Sequence, residues 1–594
     1  MLTPSQQEAV EYDYTPGTIL SIQSGPGCGK TLTLINRIKR LLSDGVKPSE
    51  IIVLSMTNRT VNLLQQALSE GIKDEVVQDV VIRTFHSFAA LIFDDNFMKY
   101  FPGRPPNSVV DDSTWKSFAK FFSAKHKDLD AAVLAVKSGE PIDSVAQKHS
   151  ISRDQLERTL EYLEDNGMIR FHGLITSAIE IFKESNGELP LAGAKVVIID
   201  EFQDMQPVLL KFIKQIAVYG KPKHVTLAGD KNQCIYDFLG SRPGITDEFI
   251  HDLKFKHTEV VLKETFRLGP QVLAMAKEVI PSELKSVKDE GIGPIRQGDL
   301  CTDIVELIAK SGGLIKFSDI IILTFTNREV DQFAEELTTR YGIKCNKFSG
   351  NKWISSKLHM YLDFLHILRR SYGSDFALLF VLEKLGVKNL KKLFAEYNEW
   401  NCSKKNRLED YLRERSTSVS IKNFLDLIEN ERVGLGTPIS ILSSLGRISI
   451  QTGLINAIET DELSSFYASL KTSHRKYLTE PKGTFLDYFL KSYYDDEPVF
   501  EEDRVNVSTI HKAKGLEFPV VFIPNFSRLP KSRLKYVAIT RAKCLLYVGK
   551  ETYDKQEIDE RIVKFVGRDL NRVPDAIKMK AGRRFFNLYK KALC

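Results

Sequence analysis

The sequence has little cysteine, and what it has is not organised. Its seven cysteines, at 28, 234, 301, 345, 402, 544 and 594, are odd in number and scattered, and no two stand at CxxC spacing. That excludes a disulfide framework and a zinc knuckle, and it points to a reducing compartment with no structural metal. No apolar run approaches the roughly 18 residues a membrane span needs, and the start of the chain has neither a signal-peptide core nor an Arg-rich presequence. Membrane insertion and secretion are therefore not expected. Repeats of solenoid length and low-complexity tracts are missing too; "GRPPNS" (103–108) and "DDEPVFEED" (495–503) read as loops or junctions. With 43% hydrophobic and 27% charged residues over 594 positions, the chain can bury several cores and reads as a globular protein of several domains.

Acid is missing from one place in particular. After Asp575 there is no Asp or Glu, whereas Lys578, Lys580, Arg583, Arg584, Lys590 and Lys591 all fall there, and these six carry the whole formal excess of +6. The remainder is charge-balanced. A polyanionic partner would have to be met by a local track of Lys and Arg, because phosphate contacts need no overall basic field.

What is present starts with "TILSIQSGPGCGKTLTLINRIKRLL" (18–42), which runs strand, glycine turn, helix, with Leu34, Ile35, Ile38 and Leu42 at helical spacing. This is the setting of a phosphate-binding loop. Gly25, Pro26, Gly27, Cys28 and Gly29 would form the loop, whose glycines let backbone N–H groups point at phosphates, Lys30 would reach the β- and γ-phosphates, and the Thr31 hydroxyl would ligate Mg²⁺. Ser24 stands where the pattern usually has Gly. Cys28 leaves two readings open: a thiol at a helix N-terminus beside Lys30, with a lowered pKa and sensitivity to oxidation, or a small residue in place of Ser.

Further buried-strand runs follow, "IIVLSM" (51–56), "VVIRTF" (80–85), "KVVIID" (195–200) and "HVTLAGD" (224–230), alternating with helical patterns, which predicts a parallel α/β sheet. "VVIIDEFQD" delivers Asp200 and Glu201 at a strand end. After a phosphate loop, such a pair reads as a magnesium ligand and a water-activating base. A second α/β region is expected to begin near "EVVLKETFR" (259–267), continue at "DIIILTFTN" (319–327) and resume at "RVNVSTIHKAKGLEFPVVFIP" (504–524) and "CLLYVGKE" (544–551), without a phosphate loop of its own. That pairing predicts ATP between two sheets, with Arg267 and Arg541 supplied in trans by the second. Helical periodicity in "KLHMYLDFLHILRR" and "IKNFLDLIEN" marks inserted helical subdomains at about 93–191 and 346–499.

In order, "LTPSQQEAV", "SGPGCGKT", "SMTNRT", "RTFHSFA", "IIDEFQDMQ", "LAGDKNQCIYDF", "LKETFR", "STIHKAKGLEF" and "YVAITRAK" resemble the motifs of the UvrD/Rep-type superfamily 1A DNA helicases, from residue 2 to about 550. The resemblance implies an α/β fold of two RecA-like parallel-sheet domains, 1A (1–92 and 192–256) and 2A (257–345 and 500–573), with helical insertions 1B (93–191) and 2B (346–499). It implies an ATP- and Mg²⁺-dependent, 3′→5′ motor on single-stranded and partially duplex DNA. Carried over, Gln6 reads adenine, Phe266 takes the position of the tyrosine that stacks on it, and Glu517 contacts the ribose. Gln233 senses the γ-phosphate, and Arg267 and Arg541 are arginine fingers. Thr57, Asn58, Phe85, His86, Tyr236, Phe238 and His511 form the DNA track, where aromatic rings stack on bases.

Three departures touch that track: Met56 replaces the usual Phe, Phe238 the usual Trp and Leu239 an Arg. Weaker stacking and one lost cationic contact are expected. The acidic residues that commonly precede the last motif are replaced by "LPKSRLK" (529–535). A nuclease fusion is not expected, since about 45 residues follow the last motif. An RNA helicase matches the motif set less well, and an ATP-gated clamp or protein-displacing translocase with little unwinding remains the alternative of another class.

The acid-free end, residues 574–594, places Ile577, Ala581, Phe585, Leu588 and Ala592 on one side of a helix and its Lys and Arg on the other. A basic amphipathic helix with an apolar face is what mitochondrial targeting needs. "LTPSQQEAV" leaves no room for such a signal at the start, so matrix import through a C-terminal signal is expected. That agrees with the fungal mitochondrial branch of the family, which carries its signal there. A DNA-phosphate-binding tail or a nuclear localisation patch, with a role in nuclear DNA repair, is the competing reading.

Overall fold

The computed structural model describes residues 2–573 except 71–76, 78, 102–107, 111–114, 116–117, 120–125, 138, 166–167, 171–172, 238–239, 349–355, 371–373, 402–405, 456–459, 480, 482, 493–502, 531 and 550–557. Its contacts divide into two units, one of residues 1–85, 187–352 and 497–594, the other of 86–186 and 353–496. Phe238 and the tail 574–594 lie outside the described residues. Among the described residues no helix is long and apolar enough to cross a membrane.

The first unit holds two six-stranded sheets. Strands β1 (Thr18–Gln23), β2 (Ile51–Ser55), β3 (Val81–Thr84), β4 (Val196–Ile199), β5 (His224–Gly229) and β6 (Lys256–Val261) stand in the order β3-β2-β4-β5-β1-β6, all parallel. The near-continuous Ile, Val and Leu runs of the central strands β2 and β4 follow from helices covering both faces, which buries every one of their residues, whereas the edge strands β3 and β6 are partly exposed. Each such side chain contributes about 1.5–3 kcal/mol of burial. Helix α1 (Pro4–Glu11) opens with a capping box from Thr3 to Gln6. Helix α2 (Lys30–Ser43) follows the glycine turn and buries Leu34, Ile35, Ile38 and Leu41, so Leu41 takes the inner place expected for Leu42. Helix α3 (Asn58–Ser69) starts at an N-cap from Thr57.

The second sheet comprises β7 (Ile295–Gln297), β8 (Ile320–Thr324), β9 (Cys345–Phe348), β10 (Val505–Thr509), β11 (Phe518–Ile523) and β12 (Ala542–Gly549) in the order β7-β12-β11-β8-β10-β9, again all parallel. Two sequence expectations shift here. The run "EVVLKETFR" does not open this sheet: β6 pairs with β1 over Thr18↔Lys256 to Gln23↔Val261 and closes the first. The expected boundary after 345 falls inside β9, whose residues pair with β10 in the second sheet.

The second unit is mainly helical. Its core brings together Phe118, Leu129, Val145, Leu156 and Leu163 with Leu362, Phe376, Leu382, Phe424 and Ile441, so residues from both of its chain segments share one interior. Phe376 meets Phe118 edge-on, with ring centroids 5.0 Å apart, and also meets Tyr162. Ser108–Val110 and Met168–Arg170 add a short parallel strand pair.

Candidate nucleotide-binding site

The loop between β1 and α2 is held from outside by its carbonyls. Thr265 Oγ1 donates to the Pro26 carbonyl (2.7 Å), the Phe266 N–H to Gly27 (2.9 Å) and Gln6 Nε2 to Cys28 (2.9 Å). Three consecutive C=O groups are thus satisfied by neighbours, while N–H groups of the first turn of α2 lack intrahelical acceptors and remain for an anion. Gly27 and Gly29 adopt φ of +72° and +74°, open to glycine at little cost. A Cβ on Gly25 would strike Leu284, on Gly27 Arg267, and on Gly29 Gln6.

The Lys30 ammonium lies 2.6 Å from Asp200 and 2.5 Å from Glu201. Burial pulls its pKa down, but the two carboxylates outweigh that and raise it. Burial pushes Glu201 up, yet Lys30, then Lys514, hold it at about 2. Asp200 is shifted upward by burial, with the charge of Glu201 adding and Lys30 opposing. Glu201 has a left-handed backbone, φ +53°, rare for a residue with a side chain and typical of functional sites. The residues fit a magnesium nucleotide: Asp200 and the Thr31 hydroxyl are hard oxygen donors, that hydroxyl makes no hydrogen bond among the described residues, and the Lys30 ammonium stands beside them as a cation for phosphate oxygens.

Beyond this centre runs a network the sequence reading did not single out. Gln203 Nε2 donates to Glu201 (2.6 Å) while its Oε1 accepts from the Asp230 N–H (2.9 Å). Gln233 donates to Asp230 (2.8 Å) and accepts from Arg541 Nη2 (2.7 Å). Arg541 is 1% exposed and also donates to the carbonyls of Val537 and Leu516 and to the Thr540 hydroxyl. Burial, with Arg267 adding, brings its guanidinium down to about 9, still charged at neutral pH. Lys514 joins Asp204 (2.5 Å) and the Gln233 carbonyl, and stands 5.1 Å over the Tyr236 ring. Burial raises Asp204 and Asp230 to about 6 each. Gln203 and Asp204 sit in the quoted "DEFQD" and Lys514 in "HKAKG", so the signal was present; their partners come from distant strands.

Other expected residues fall as follows. Arg267 does not come from the second sheet: it follows the short strand Glu264–Thr265, which pairs with Lys285–Ser286 outside both six-stranded sheets, and its guanidinium meets Glu517 (2.5 Å) and the Thr540 carbonyl. Glu517 bridges Arg267 and Lys543 (2.5 Å), and these outweigh burial to hold its carboxyl below the usual range. Gln6 is buried, with its amide committed to Thr3 and Cys28. Phe266 is 44% exposed beside the loop, open to a flat ligand. Cys28 corrects the reactive-thiol reading: burial pushes it up to about 12. On the track, Thr57 and Asn58 are exposed at the start of α3, and Tyr236 donates to the His511 carbonyl (2.9 Å). Phe85 is buried at 1% and presents no face for stacking, a correction to its expected place in the track. His86 is half-buried in the second unit.

The sequence matches the UvrD/REP helicase N-terminal domain over residues 2–254 and the UvrD-like helicase C-terminal domain over 296–553. It is similar to the ATP-dependent DNA helicase HMI1, mitochondrial, of Saccharomyces cerevisiae, 28% identical over 92% of this chain and 89% of that protein. It is similar to the ATP-dependent DNA helicase PcrA of Bacillus subtilis, 25% identical over 92% of this chain and 82% of that one. A third relative is the helicase Rep of Buchnera aphidicola, 23% identical over 91% and 94%. Two sheets carrying this loop, the Asp200–Glu201 pair and the matched domains along most of its length make the chain a member of the UvrD/Rep-type DNA helicase family.

Proposed function

We propose that this ATP-dependent DNA helicase moves along single-stranded DNA in the 3′→5′ sense and separates duplexes it meets. The observation that carries the reading is the continuous set of bonds from Glu201 through Gln203, Asp230 and Gln233 to Arg541, which ties the β1–α2 loop side of the cleft to the second sheet. When bound with Mg²⁺, ATP supplies the phosphoanhydride whose cleavage drives the cycle. Thr31 and Asp200 would hold the metal. Lys30 would exchange its two carboxylates for phosphate oxygens, and its departure would raise the pKa of Glu201 from about 2, sharpening it as the base toward water. Arg267 and Arg541 would neutralise charge developing on the transferred group, Phe266 would cover the base, and Gln233 would report the phosphate to Arg541. In domain terms, 1–92 with 192–256 and 257–345 with 500–573 would be 1A and 2A, and 93–191 and 346–499 would be 1B and 2B.

The test is ATPase stimulation by single-stranded DNA against RNA, alongside strand displacement on tailed duplexes. Stimulation by DNA with displacement from a 3′ tail is expected. Hydrolysis indifferent to DNA would sink the reading, and stimulation without displacement would favour the protein-displacing clamp.

A mitochondrial site of action follows the name of the yeast relative. The finer reading, matrix import through residues 574–594, rests on their acid-free amphipathic pattern. Fused to a fluorescent protein, residues 574–594 are expected to direct it to mitochondria, and their deletion to leave the helicase cytosolic. A nuclear fusion with the truncated chain still mitochondrial refutes a C-terminal signal.

A further inference from the structure

Phe325 was not among the residues the motifs pointed to, yet it is an exposed aromatic at the ligand-facing edge of the second sheet. In open parallel α/β sheets, ligands gather outside the carboxyl ends of the strands. Strands β8 and β10 are paired neighbours, with Thr324 opposite Thr509, so Phe325 and His511 leave adjacent strand ends on the same edge. Phe325 is 40% exposed, whereas Leu323 and Thr324 before it are buried. Its ring centroid lies 6.3 Å from that of His511, which in turn lies 6.3 Å from Tyr236. Three rings therefore follow one another from the second sheet to the first.

The backbone that carries the ring is also held in place. The Phe325 N–H donates to Glu329 (3.1 Å), Thr326 and Glu329 form a capping box, and Asn525 donates to the other Glu329 oxygen (2.8 Å). A half-exposed ring on a fixed backbone offers a stacking face with less entropy left to lose. Cations accompany it: Arg328 is exposed in the next helical turn and Lys512 is exposed after His511. Aromatic faces interspersed with Lys and Arg are the surface that carries single strands without regard to sequence.

We propose that Phe325 is a base-stacking residue of the strand track, lying beyond His511 and Tyr236. The proposal rests on the DNA-translocase reading. Its experiment uses the full chain and an oligothymidylate carrying one 2-aminopurine, moved along the strand position by position, with wild type, Phe325→Leu and Phe325→Tyr. Phe325→Leu keeps an apolar side chain but no face, and it is expected to weaken binding about tenfold. It should also abolish the fluorescence quench at one probe position only. Phe325→Tyr restores both, and thermal melting confirms that all three chains fold. Binding by Phe325→Leu within twofold of wild type, or an unchanged quench at every position, overturns the proposal and leaves the helicase reading standing. Failure of the wild-type chain to bind the oligonucleotide at all overturns both.

Discussion

Glu201→Gln is expected to lower the turnover of ATP hydrolysis by about 10²- to 10⁴-fold, the range general-base catalysis supplies, while ATP still binds. The substitution keeps the shape that accepts Gln203 Nε2 and the left-handed backbone, and it removes only the charge and the proton acceptor. It also leaves Lys30 with a single anionic partner, Asp200, so nucleotide affinity should hold or rise as the lysine is released to phosphate. Single-turnover hydrolysis with a parallel titration of fluorescent nucleotide separates the two quantities. A hydrolysis rate within tenfold of wild type would place the base elsewhere.

Arg541→Ala is expected to do two kinds of damage. Loss of a charge-neutralising arginine costs about 10³- to 10⁵-fold in turnover. The second effect is structural, because Arg541 is buried and satisfies the Leu516 carbonyl and the Gln233 amide oxygen. Leaving such acceptors unpaired costs about 1–3 kcal/mol each, so the melting temperature should fall as well. Arg267→Ala removes one ion pair with Glu517 and one bond to Thr540, and should lower turnover with a smaller loss of stability. Arg541→Lys discriminates charge from geometry: a lysine keeps the charge but cannot span Val537, Leu516, Gln233 and Thr540 together. Melting curves and steady-state hydrolysis on the three variants check this, and equal stability losses at 267 and 541 would contradict it.

The parts of this protein legible in its sequence are those whose physics is local. Buried parallel strands announce themselves as Ile and Val runs, and β1, β2, β4 and β5 stand where those runs lie. The glycine turn before Lys30 and the Asp200–Glu201 pair each directly follow an apolar strand run in the sequence, so that adjacency alone brings them to strand ends. Sheet membership is not local. The run around β6 reads the same whether it closes the first sheet or opens the second, and only its register against β1 decides. Burial of a single ring is likewise a tertiary outcome: Phe85 and Phe325 are both phenylalanines at strand ends, and packing covers one and leaves the other open. The pairing of Lys514 is unreadable for the same reason, since its partners Asp204 and Gln233 are about 300 residues away along the chain.

The outward tethering of the phosphate loop bears on modularity. A strand, a glycine turn and a helix are often treated as a portable unit. Here the glycines at 25, 27 and 29 clear space for Leu284, Arg267 and Gln6, three side chains that belong to other parts of the chain. The Pro26, Gly27 and Cys28 carbonyls are likewise satisfied by Thr265, Phe266 and Gln6. Lifted out with β1 and α2 alone, the loop would keep its sequence signature and lose the bonds that shape it. The structural unit that shapes the loop therefore reaches beyond β1 and α2 to Gln6, the "ETFR" segment and Leu284.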